Sequence, residues 1–133
     1  MKRIKDKIKE INKFLDELKE IIPDSLDKYK SDKIKKAACE RYAEKIVEAV
    51  IDLAFLTIKK KKLEIPEDDM DAFNILLAKK IIDKDLAAKL KEAKGMRNII
   101  AHQYGQVRDN IVYDSIKKEL GKDIRLFIGK VQK

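Results

Sequence analysis

KIKKAACERYAEKIVEAVIDLAFLTIKKKK, residues 33–62, places apolar side chains at Ile34, Ala38, Tyr42, Ile46, Val50, Leu53, Ala54, Phe55 and Leu56. Steps of three and four residues are the signature of an α-helix with a buried face. Here the apolar surface is wider than one stripe, as expected of a central helix touched by several neighbours. Ser31 or Asp32 is placed to cap its start. Lys59-Lys60-Lys61-Lys62 closes it, either as solvated charge that complements the helix dipole or as a nucleic-acid patch.

The same period extends in both directions. Upstream, Ile4, Ile8, Ile11, Leu15, Leu18 and Ile22 define a first helix that Pro23 and Asp24 end. Downstream, Pro66-Glu67-Asp68-Asp69 opens a helix with acids in its first turn, and Met70, Phe73, Leu76 and Leu77 form its apolar face. Asp83 or Asp85 caps a fourth helix lined by Leu86, Leu90, Ala93 and Met96. Gly105 closes that segment, Arg108-Asp109-Asn110 reads as a loop, and a last helix carries Val112, Ile116, Leu120, Ile124, Phe127 and Val131. Four glycines and two prolines are few for a strand-and-turn design, and no strand pair or internal repeat stands out. The expectation is all-α: about five helices in an antiparallel bundle, one domain over residues 1–133.

Composition narrows the function classes. Charged residues make up 42% and hydrophobic residues 44%, which fits neither a membrane protein nor a disordered tail. No run approaches a membrane span or a secretory signal, so the cytoplasm is the expected location. Cys39 is the single cysteine, which excludes an intrachain disulfide and a cysteine-based metal cluster and suits a small buried hydrophobe. A net charge of +8 and a pI near 9.4 favour a polyanionic partner without choosing among RNA, DNA and acidic proteins. Nearly all of that excess is lysine. Arginine occurs only at positions 3, 41, 97, 108 and 125, and His102 is the one histidine.

Arg97 and His102 fall in one short polar stretch, Met96-Arg97-Asn98-Ile99-Ile100-Ala101-His102-Gln103-Tyr104-Gly105. A guanidinium offers a permanent positive fork for phosphate, and an imidazole moves protons near neutral pH. Together they suffice for cleavage of a phosphodiester. The imidazole takes the 2′-hydroxyl proton or protonates the leaving oxygen, and the arginine stabilises the growing negative charge, with neither metal nor cofactor required. On a regular helix the two residues lie about 140° apart. They share a face only if the helix ends or bends between them, or if a second copy of the chain completes the site. One histidine per chain favours a homodimer, which brings two arginines and two histidines to one cleft. In a monomer, Tyr104 or a lysine has to supply the second proton function. Glu44 and Glu48, one turn apart, are placed either to orient Arg97 across the bundle or to form solvated pairs with neighbours such as Arg41. Arg108 and Lys94 are candidates for a basic rim.

The Arg97-Asn98-x-x-x-His102-x-Tyr104 arrangement resembles the signature of the HEPN ribonucleases, in the HepT toxin branch. The late position of the motif, before a final helix, is also similar, and so is the long helix containing Glu40-Arg41 and residues 46–54. This resemblance implies an all-helical toxin, a metal-independent endoribonuclease that dimerises to form its cleft. Arg97 and His102 would be its catalytic pair, with Asn98 an orienting or substrate-contacting polar group. It also implies a nucleotidyltransferase antitoxin, encoded nearby, that transfers adenylate from ATP to Tyr104. Adding that bulk and negative charge beside Arg97 would oppose an RNA strand. Two other readings remain: a non-catalytic helical subunit that binds nucleotide or substrate for a nucleotidyltransferase, and a basic helical adaptor.

Overall fold

The computed structural model describes residues 2–102 and 109–132. The helices are α1 (Lys2–Ile21), α2 (Leu26–Ser31), α3 (Lys33–Lys60), α4 (Asp69–Ala78), α5 (Lys84–His102), α6 (Asp109–Asp114) and α7 (Gly121–Val131), with a π-helical stretch, Ser115–Leu120, joining the last two. The described residues contain no strand. The all-α bundle expected from the apolar period is what forms.

Helix α3 is the hub, packed against α1, α2, α4 and α5. Its buried side chains are spread around the helix rather than confined to one stripe: Ile46, Val47, Val50, Leu53, Ala54 and Ile58 are all in the core. The amphipathic α1 lays Ile4, Ile8, Ile11, Leu15 and Leu18 against it. Phe73 on α4 meets Phe127 on α7 edge to face, with ring centroids 6.5 Å apart. Cys39 is buried, and burial pushes its thiol pKa up to about 11.

Helix boundaries follow local chemistry. Asp32, Asp68 and Asp83 each accept a hydrogen bond from the backbone N–H three residues on, at 3.0, 2.8 and 2.8 Å, and so cap α3, α4 and α5. Helices α3 and α4 end in the same way. Leu63 N–H reaches Ile58 O and Lys62 N–H reaches Lys59 O, while Ile81 N–H reaches Leu76 O and Lys80 N–H reaches Leu77 O. This is the Schellman pattern. The left-handed position, usually glycine, is taken by Lys62 (φ 56°) and Lys80 (φ 61°).

Three expectations need correction. Ile34 is 84% exposed, in the first turn of α3, and contributes nothing to its core face. The polar stretch before α3 contains a further helix, α2, capped by Ser25 and anchored by the buried Tyr29. Asp109 and Asn110 are not loop. They open α6, where Asp109 forms an ion pair with Lys36 of α3 at 2.8 Å.

Candidate functional site

The last two turns of α5 run along α3. Ile100 turns into the core and fixes the helix rotation, which leaves Arg97 half-buried on the α3 side. Its Nη2 donates to Glu48 Oε1 at 2.7 Å, and its Nη1 donates to Asn98 Oδ1 at 3.1 Å. Its Nε is buried and has no hydrogen-bond partner among the described residues. A charge-assisted bond this short holds a guanidinium in one orientation.

Glu48, not Glu44, therefore makes the contact with Arg97. Glu44 lies 3.8 Å from Arg41, its neighbour one turn back on α3. Lys36, Glu40, Glu44 and Glu48 recur every fourth residue and form one polar stripe along α3. At one end Lys36 holds Asp109 at the start of α6, and at the other Glu48 holds Arg97 near the end of α5. Glu40 lies between them with its carboxyl pKa raised, first by burial and then by the negative charges of Asp109 and Glu44, against the pull of Lys36. The stripe was visible in the sequence as an i, i+4 series. Which acid faces α5 was set by helix rotation, which the series alone did not give.

His102 occupies the exposed last turn of α5. Because α5 stays helical through both residues, Arg97 and His102 point about 140° apart. One chain does not bring the two side chains together on one helix face. Lys94 is turned toward Asp69, 3.9 Å away, and is not a free rim charge. Tyr104 and Arg108 lie outside the described residues. No described helix is long and apolar enough to cross a membrane.

The all-helical bundle around the long α3 is shared with solved HEPN toxins. The solved structure of a tri-AMPylated HEPN toxin from Shewanella oneidensis, in complex with an MNT antitoxin, superposes with a TM-score of 0.90. It covers 97% of this chain and 96% of that one at 26% identity. Residues 11–131 match the family model described as ribonuclease HepT-like, and the chain belongs to that family. It is similar to an mRNA nuclease HepT of Shewanella oneidensis, 32% identical over 85 residues. That match spans 64% of this chain and 63% of the relative. A tRNA nuclease HepT of Aphanizomenon flos-aquae is 29% identical over 113 residues, 85% of this chain and 77% of that protein.

Proposed function

We propose that this chain is the toxin of a toxin–antitoxin pair, an endoribonuclease that cleaves RNA without a metal ion. Arg97 and His102 are its catalytic residues, and it acts as a homodimer. The observation that carries the reading is the anchored Arg97, fixed by Glu48 and Asn98 in a chain similar to proteins named mRNA nuclease HepT and tRNA nuclease HepT. The divergence of Arg97 and His102 on a single helix supports the two-chain site. Across a two-fold axis, the arginine of one protomer and the histidine of its partner can face the same phosphate.

In that cleft the imidazole of one His102 takes the proton of the ribose 2′-hydroxyl. The 2′-oxygen attacks phosphorus, the P–O5′ bond breaks, and the partner's His102 delivers a proton to the departing 5′-oxygen. The products are a 2′,3′-cyclic phosphate and a 5′-hydroxyl. Arg97 stabilises the added charge on the non-bridging oxygens in the transition state. Asn98 keeps one edge of the guanidinium in place, and Glu48, rather than Glu44, takes the orienting role that the sequence offered to both.

The partner is a nucleotidyltransferase antitoxin encoded nearby, which transfers adenylate from ATP to Tyr104. Co-expression with that neighbour followed by intact-mass measurement tests this. A mass gain of one or more adenylates that maps to Tyr104, with loss of RNA cleavage, is expected. An unmodified chain that stays inactive in the complex would favour simple blocking by the partner instead.

A further inference from the structure

Between the second half of α1 and the junction of the π-helical stretch with α7 lies a groove of about 350 Å³ whose charge is all of one sign. Lys19, Lys117, Lys118, Lys122 and Arg125 line it, and no carboxylate does. Leu18, Ile116 and Leu120 form its floor. It contains no residue of α5 and is separate from the site around Arg97. We propose that this groove binds the phosphodiester backbone of single-stranded RNA and holds the substrate strand away from the bond that is cut. The proposal rests on the RNA reading above.

Three observations point the same way. The first is composition: five cations converge over a concave surface that no carboxylate lines, whereas the lysine run at 59–62 ends a helix beside Asp52 and Glu64 of a neighbouring pocket. Lys19, Lys117 and Lys122 have no carboxylate within ion-pair distance among the described residues. Lys118 and Arg125 have only long, exposed pairs, 3.9 Å to Asp114 and 3.6 Å to Asp16. Such pairs contribute little and yield readily to a phosphate.

The second is Gly121. A glycine inside a helix is costly, and a β-carbon here would come within 3.2 Å of Arg125 Nη1. The Arg125 guanidinium lies back along the helix over Gly121, beside the groove, and a β-carbon there would ask it to shift by only a few tenths of an ångström. The third is the backbone: the helix departs from α geometry at Ser115–Leu120, and π-helical turns of this kind are frequent at binding sites. Lys118, Lys122 and Arg125 then follow at steps of four and three, one stripe along about 10 Å of helix. A stripe of that kind suits successive phosphates. The aliphatic floor offers no aromatic platform, so the interaction is with the backbone and tolerant of sequence.

The test uses full-length chain made inactive by His102→Ala, so that binding is read without cleavage. The probe is a fluorescent mixed-sequence RNA oligonucleotide, followed by anisotropy over a range of salt concentrations. Reversing Lys118 and Lys122 to Glu is expected to weaken binding at least tenfold and to lower the salt slope by about 0.7 for each phosphate no longer neutralised. Reversing Lys60 and Lys61, an equal change in net charge, is expected to weaken binding less than threefold. Equal effects of the two double reversals would overturn the proposal and leave only bulk charge. So would binding of a polyglutamate peptide under conditions where the RNA does not bind. In the active chain the Lys118 and Lys122 reversals are expected to raise KM for RNA with kcat little changed, which separates this groove from the ribonuclease reading; full cleavage in either Arg97→Ala or His102→Ala would sink that reading instead.

Discussion

Tyr29 and Tyr113 pack against each other in the core, ring centroids 5.1 Å apart and planes tilted by 48°, and removing the hydroxyl from each should move stability in opposite directions. Both rings are buried, at 0% and 5% exposure, so neither Phe substitution changes the apolar packing much. Tyr113 Oη donates to the Pro23 carbonyl at 2.6 Å, tying α6 to the connection after α1. Tyr113→Phe removes that bond and leaves a buried carbonyl unpaired, a loss of about 2 kcal/mol. Tyr29 Oη is buried and has no partner among the described residues, and burial, with the charge of Glu40 behind it, raises its pKa. Tyr29→Phe removes a hydroxyl that gains nothing from being there and should stabilise by about 1 kcal/mol. With 133 residues, each kcal/mol shifts Tm by about 3–4 °C. Thermal unfolding at matched protein concentration should therefore show Tyr113→Phe about 7 °C below wild type and Tyr29→Phe about 3 °C above it. Shifts of the same sign, or a Tyr113→Phe loss under about 2 °C, would refute the assignment of the two hydroxyls.

Glu48→Gln keeps the size of the side chain but removes the charge that fixes Arg97; RNA cleavage should fall about 10- to 100-fold in kcat, with Tm little changed because Glu48 is 43% exposed. Glu40 has its pKa raised in the folded chain above its ordinary 4.5, so it destabilises progressively as pH rises through that raised value. Urea unfolding should then find Glu40→Gln more stable than wild type at pH 7 and equal to it near pH 4, whereas a less stable variant at pH 7 would mean that attraction to Lys36 outweighs burial. Lys62→Gly relieves the left-handed backbone at the end of α3 and should raise stability by about 0.5–1 kcal/mol, measured by denaturant midpoint.

Most of the bundle was legible because α1 and α3 bury long apolar series whose period admits one reading. The helix starts were legible too, since Asp32 and Asp83 are strong caps immediately before apolar runs. Helix ends were harder to read. Both Schellman turns carry lysine where glycine is the usual signal, so the lysine run at 59–62 read as solvated charge, whereas Lys62 also takes the left-handed position that stops α3. The short α2 was hidden because six residues are too few to show a period, and its anchor is the single buried Tyr29. In the candidate site, the sequence singled out Arg97, Asn98 and His102 by residue type and spacing. It offered Glu44 and Glu48 equally as supports, and only the rotation of α3 against α5 assigns the contact to Glu48.

The most direct test of the central claim is cleavage of a labelled single-stranded RNA by the purified, unmodified chain in EDTA, comparing wild type with Arg97→Ala and His102→Ala at equal folded concentration. Wild type is expected to cleave to 2′,3′-cyclic phosphate ends, and both variants to lose that cleavage. Full activity in either variant, or a wild type that cuts only when a divalent metal is restored, would contradict it.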